Sequence, residues 1–218
     1  MAVGLYDNGT PQTDGRNVVR YIADLGFEVD PHAHETEYNY ADVAYLIHSL
    51  GVEPTQTVGG FIADPPTDSK LEYFWQPIAA TLSPTYTWQA EVLWGGATLY
   101  HRDEEGLWAS GVWKPKDRFH FLQHDDGAPL PYIGRYGGRC EQLVAMQQRG
   151  ELEEGRIYTC TLFVSQNFVL QEDFVEGFRE RIRSLNAAGK VRWVGLREVI
   201  EIWEQEYGAE PNVLRYRP

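Results

Sequence analysis

Residues 27–34 read Phe-Glu-Val-Asp-Pro-His-Ala-His and follow a glycine at position 26. Apolar and polar side chains alternate here, which predicts a short β-strand that ends at Pro31. Because successive side chains of a strand point to opposite faces, four ionisable groups share one face. These are Glu28, Asp30, His32 and His34. So many ionisable side chains on one face of a strand indicate a functional site.

The two histidines have the spacing of a metal clip. Residues two apart on a strand have Cα atoms about 6.5 Å apart, and two imidazoles close that gap when each binds zinc at about 2.0–2.1 Å. We therefore predict that His32 and His34 bind a divalent metal ion, zinc being the first choice. Asp30 and Glu35 are carboxylates close enough to serve as the catalytic base or to orient a ligand. The alternative is a pair of loop histidines bonded to backbone or solvent.

The rest of the chain alternates helical and strand patterns. Helices are predicted at 17–25, 40–50, 69–80, 140–149, 172–188 and 197–207, and strands at 57–62, 88–94, 157–164 and 190–194. Strands that alternate with helices of ten or more residues predict βαβ units and a parallel sheet. We expect one α/β domain over residues 1–218, interrupted by an irregular, β-rich insertion at about 95–138.

The predicted insertion contains further candidate catalytic residues. His101 and His124 lie in it, and either can fold over the strand ends as a third metal ligand or as the general acid. Asp125 follows the second of them and is a candidate base. The alternative for each is a solvated turn residue.

Aromatic residues crowd the same region and predict contact with a carbohydrate. A sugar ring stacks its C–H face on aromatic side chains, so Trp94 and Trp113 are candidate substrate-binding residues, with Lys114 beside the second. The alternative for these tryptophans is a place in the core.

Composition excludes several classes of partner. The chain has 218 residues and a net charge of −13, from 19 basic and 32 acidic side chains, the wrong sign for binding nucleic acid or an anionic membrane surface. No apolar run is long enough to span a bilayer, and the first residues do not resemble a signal peptide. We expect a soluble, cytoplasmic protein. Of its two cysteines, Cys140 and Cys160, the second lies in an apolar run, which favours a buried free thiol.

Residues 26–32, Gly-Phe-Glu-Val-Asp-Pro-His, resemble the strand of polysaccharide deacetylases in which Gly-x-Glu leads into a metal-binding histidine. Residues 191–199 are similar to the final strand and helix of the same family. Trp-Lys-Pro at 113–115 loosely resembles its Arg-x-Pro loop. The similarity spans about 17–62 and 156–207.

This resemblance implies a seven-stranded β/α barrel that uses a divalent metal such as zinc to hydrolyse N-acetyl or ester groups on a glycan, with His32 as a ligand. The family's second histidine comes four residues later, where this chain has Thr36, so we place His34 in that role. The family's paired aspartates and its late histidine have no counterpart. The chain therefore resembles either a member that lacks the first strands or a divergent one that rebuilt its site. An incomplete barrel would leave a sheet edge open, and a second copy of the chain is one way to cover it.

Together these observations predict a metal-dependent hydrolase of the deacetylase type that acts on a small molecule or a glycan. Two alternatives stay open. The Asp-x-His-x-His pattern at 30–34 also resembles the first-strand metal motif of amidohydrolase barrels of the phosphotriesterase type. The other alternative is a non-catalytic carbohydrate-binding or oligomer-forming domain, which predicts that His32 and His34 bind no metal.

Overall fold

The computed structural model describes residues 9–32, 39–59, 76–95, 106–117, 120–164, 166–169 and 171–216. The strands in chain order are β1 (Thr57–Gly59), β2 (Ile78–Ala79), β3 (Thr87–Trp88), β4 (Val92–Trp94), β5 (Ala109–Ser110), β6 (Val112–Trp113), β7 (Tyr132–Ile133) and β8 (Leu214–Arg215). The α-helices are α1 (Val18–Asp24), α2 (Tyr40–Ser49), α3 (Cys140–Gln148), α4 (Gln166–Val169), α5 (Phe174–Ala188) and α6 (Leu196–Tyr207). Short 3-10 turns occupy Pro11–Thr13, Gly106–Trp108 and Tyr136–Gly138.

A four-stranded sheet forms the centre of the fold, in the order β1-β4-β7-β6. β1, β4 and β7 run parallel, and β6 runs antiparallel to β7. The 28–32 segment lies beside β1: Val29 accepts the N–H of Thr55 at 3.0 Å, and the carboxylate of Asp30 accepts the N–H of Thr57. The strand predicted from residue 27 to Pro31 does not form, and these two contacts join the segment to β1 and to Thr55, two residues before it, without a ladder. Two antiparallel pairs, β2–β3 and β5–β8, flank the sheet.

Helices cover both faces of this sheet. One face packs against α2 through a cluster that includes Tyr40, Ala41, Ala44, Val58, Leu93, Trp113 and Tyr132. The other packs against α6 through Val92, Val112, Ile133, Ile157 and Trp203. Residues from the two clusters alternate along β4, β6 and β7, as the pleat of a strand requires. The result is a mixed α/β fold of three layers.

The predicted β/α barrel of the seven-stranded deacetylase type is therefore wrong: the described residues form small sheets of two to four strands and no closed barrel. The physical reason lies in α6, because Trp203 on this helix is 1 % exposed against the sheet. Because helices cover both faces of this sheet, neither face can line the inside of a barrel. The expectation of an incomplete barrel is wrong for the same reason.

Two further predicted strands, at 157–164 and 190–194, do not form regular strands. Side-chain hydrogen bonds, rather than a β-ladder, hold residues 157–164 against the sheet. The hydroxyl of Thr159 accepts the N–H of Gly111 at 2.8 Å and lies 2.8 Å from the carbonyl of Gly134. The Ser110 hydroxyl donates to the Thr159 carbonyl at 2.8 Å. These bonds join the segment to β5, to Gly111 before β6 and to Gly134 after β7 without extending the sheet.

The positions of the helices agree better with the sequence prediction than the positions of the strands do. α1, α2, α3, α5 and α6 all form within two residues of their predicted limits. The helix predicted at 69–80 is wrong at its end, where Ile78–Ala79 is a strand, and its start lies outside the described residues. The stretch predicted as an insertion supplies β5, β6 and β7. No helix in the described part of the chain is long and apolar enough to cross a membrane.

The two cysteines form a disulfide, so the free thiol predicted at Cys160 is wrong. Cys140 is the first residue of α3, and Cys160 follows the anchored Thr159. Their Cα atoms are 5.5 Å apart, within the range that a disulfide bridges. The bond fastens α3 to the 157–161 segment, a proximity that spacing along the chain does not reveal.

Candidate functional site

The 28–32 segment is fixed between the edge of the sheet and the start of α6. Glu28 accepts the backbone N–H of Arg197 at 3.1 Å through Oε1, which satisfies one of the exposed donors at a helix start. Gly195 lets the carboxylate approach, because a Cβ at that position would collide with Oε1. The segment is therefore held on one side by β1 and on the other by α6.

Glu28 and Asp30 form a half-buried carboxyl pair. Burial, and then the charge of Glu28, raises the pKa of Asp30 from 3.8 to about 7, although the Thr57 N–H and the charge of Arg197 oppose this shift. Asp30 Oδ1, Glu28 Oε2 and the Thr57 hydroxyl are buried without a hydrogen-bond partner among the described residues. The pair thus has buried oxygen atoms available to accept a proton or a hydrogen bond.

His32 is exposed and comes two residues after Asp30. Its predicted partner His34 lies outside the described residues, as do Glu35 and His101. Within the described ranges, no three side chains of the types that ligate metals lie together. The structure therefore shows an exposed imidazole two residues after a half-buried carboxyl, and the predicted metal clip stays a prediction.

The other predicted acid and base lie elsewhere. His124 Nδ1 accepts the backbone N–H of Lys114 at 3.0 Å, and its Nε2 lies 2.8 Å from Asp126. Asp125 accepts the N–H of Gly127 at 2.9 Å. These residues belong to the turn beyond β6, at the opposite edge of the sheet from the 28–32 segment. The structure does not bring His124 and Asp125 to Asp30.

The two candidate tryptophans have different surroundings. Trp113 is fully buried and donates its indole N–H to the carbonyl of Phe121 at 2.7 Å. A sugar cannot reach it, so the alternative of a core position describes Trp113. Trp94 is half-buried at the carboxyl end of β4, where its indole N–H donates to the Thr161 hydroxyl at 3.0 Å. Lys114 is half-buried beside Trp113.

Sequence reasoning missed Arg135, which follows β7 at the carboxyl ends of the parallel strands. Its guanidinium lies 4.5 Å from the centre of the Phe163 ring, and its Nε is buried without a hydrogen-bond partner in the described part of the chain. The signal available was Gly-Arg-Tyr-Gly-Gly at 134–138, a lone basic residue among glycines directly after an apolar run.

Comparison of this chain with protein-family models, with curated proteins and with solved structures finds no match. The chemistry is therefore inferred from the residues themselves. The 28–32 segment offers a carboxyl group with one oxygen unpartnered and an imidazole two residues away. This arrangement is suited to moving a proton beside a bound cation.

Proposed function

We propose that this chain hydrolyses acyl groups, with Asp30 as its catalytic carboxyl and His32 as a ligand for a divalent cation. One observation carries the proposal. Asp30 is fixed by the N–H of Thr57 while its Oδ1 has no partner among the described residues, and the exposed imidazole of His32 follows two residues later. A fixed carboxyl with a free oxygen, two residues from an imidazole, can serve as a general acid and base.

In this proposal Asp30 accepts the proton of the attacking water and then returns it to the leaving amine or alcohol. A base with a pKa near neutrality does both at neutral pH, and burial gives Asp30 that property. Glu28 stays bonded to the start of α6, and its charge helps to raise the pKa of Asp30. A zinc ion on His32 and His34 would polarise the acyl carbonyl and lower the pKa of the attacking water.

The substrate is proposed to be an acylated carbohydrate. Trp94 stands at the carboxyl end of β4, and Phe163 nearby is 52 % exposed. Ligands of open α/β sheets bind at the carboxyl ends of the strands, and exposed aromatic rings there suit the C–H face of a sugar.

The test measures release of acetate from acetylated oligosaccharides, and hydrolysis of 4-nitrophenyl acetate, by the full chain supplied with zinc. Asp30→Asn keeps the shape of the side chain and removes its basicity, so we expect kcat to fall by about 100-fold or more. Asp126→Asn is the matched control, because the Asp126 side chain is fully exposed. Equal rates for wild type and Asp30→Asn, or no turnover by the wild type on any acyl substrate, would contradict the proposal.

A further inference from the structure

We propose that the carboxyl ends of β4 and β7 form a binding site for the carboxylate of an acidic sugar, with Arg135 as the residue that binds it. This site is separate from Asp30 and His32. It lies beside Trp94 and Phe163, to which the proposed function assigns the sugar, so this inference deepens that proposal and rests on it for the substrate class. The experiment below measures binding without turnover, so the two proposals can fail separately.

The guanidinium of Arg135 has no ionic partner among the described residues of this strongly acidic chain. Several other arginines of the described chain pair with glutamates, among them Arg149 and Arg192. Arg135 makes no side-chain hydrogen bond or ion pair with any described residue, and its Nε is buried without a partner. Burial lowers the pKa of Arg135, yet an arginine stays charged in a protein. A half-buried charge of this kind is costly unless an anion pairs with it.

The surroundings of Arg135 suit a ligand with an apolar face as well as a charge. Its side chain packs over Gly95, where an added Cβ would stand 3.5 Å from Cδ, and its guanidinium lies against the ring of Phe163. Phe163 remains 52 % exposed despite this contact. Trp94 is linked to the Arg135 backbone through Thr161. The Trp94 indole N–H donates to the Thr161 hydroxyl, and Thr161 donates its backbone N–H to the Arg135 carbonyl at 3.2 Å.

The backbone fixes the position of Arg135. Gly134 before it is buried against Ala109, where a Cβ would collide with the Ala109 carbonyl oxygen. Tyr136 after it is buried and has a φ of 51°, a conformation that costs a bulky residue free energy and persists where packing enforces it. The guanidinium is therefore presented from a rigid turn.

A carboxylate fits these groups better than other anions. The planar fork of a guanidinium matches the two oxygens of a carboxylate, and the aromatic rings beside it suit the C–H face of a pyranose. A sugar that carries a carboxylate, a uronate, presents both features in one molecule. Inorganic phosphate can accept the same two hydrogen bonds but has no apolar face for the aromatic rings.

The experiment titrates the full-length protein with D-glucuronate, D-glucose and inorganic phosphate at constant ionic strength. The readout is the NMR signal of the arginine Nε–Hε groups, with the Arg135 signal identified by its loss in Arg135→Lys. We expect glucuronate to shift this signal saturably and glucose to leave it unchanged. Arg135→Gln should weaken glucuronate binding about tenfold or more, because a hydrogen-bonded charge pair is lost.

Two further variants keep the test decisive if Arg135→Gln unfolds. Phe163→Ala changes an exposed side chain and should also weaken binding, while Arg139→Gln, four residues away with its guanidinium over Trp108 and Tyr216, should not. Tighter binding of phosphate than of glucuronate would overturn the proposal. Equal binding of glucose, or unchanged affinity in both Arg135→Gln and Phe163→Ala, would do the same.

Discussion

Replacing Asp30 by asparagine should make the protein more stable at alkaline pH and leave its stability nearly unchanged in acid. Burial and the charge of Glu28 raise the pKa of Asp30 from 3.8 to about 7. The folded protein then binds this proton more tightly than the unfolded chain does. Stability is therefore greatest below the unfolded pKa and is lost as the pH rises through the folded pKa.

The magnitude follows from the size of the shift. A difference of about three pKa units corresponds to roughly 4 kcal/mol of folding free energy at pH 8, at 1.36 kcal/mol for each unit. Asparagine cannot ionise, yet its carbonyl oxygen can still accept the N–H of Thr57. The gain for Asp30→Asn should approach this value at pH 8 and decline toward zero near pH 4.

Urea unfolding of both proteins, followed by tryptophan fluorescence and circular dichroism between pH 4 and 8 in the presence of EDTA, measures this difference. Asp126→Asn, with its fully exposed side chain, should show no comparable pH dependence. A difference between wild type and Asp30→Asn that is constant over this range would refute the reasoning. So would a variant that is the less stable of the two at pH 8.

Three further outcomes are expected. Asp42→Ala should lower the free energy of unfolding, measured in urea, by about 3–5 kcal/mol, because the Leu82 N–H and the other groups that donate to the buried Asp42 carboxylate lose their acceptor. A loss below about 1 kcal/mol would show that water replaces these bonds. Reducing the Cys140–Cys160 bond, which closes a loop of 20 residues, should lower the free energy of unfolding by about 3 kcal/mol, and free thiols titrated in the oxidised, folded protein would contradict the pairing. His124→Ala should leave acyl hydrolysis at the wild-type rate, since a large loss would place this residue in the active site.

The helices could be predicted because their signals are local. Apolar residues recur at helical spacing in α2 and α6, and Gly51, with a φ of 82°, follows α2. The strands gave weaker signals. β7 and β6 contain two residues each, too few for alternation to appear, and their pairing depends on contacts between distant parts of the chain.

The candidate site was predictable in part. The alternation around Asp30 drew attention to this residue and to His32, although residues 27–32 form no regular strand. The alternation could not reveal that Glu28 would bond to Arg197, 169 residues later, or that α6 would cover the face expected to line a barrel. That no described acidic side chain pairs with Arg135 is likewise a property of the folded chain alone.

The most direct test of the Asp30–His32 site is the zinc content of the purified chain by elemental analysis, after incubation with zinc and removal of free ions. The wild type should retain about one zinc per chain, and the double variant His32→Ala, His34→Ala should retain none. His120→Ala is the matched control, because this half-exposed histidine pairs with Asp117 and should not affect zinc binding. A wild type without zinc, or a double variant with as much zinc as the wild type, would contradict the account.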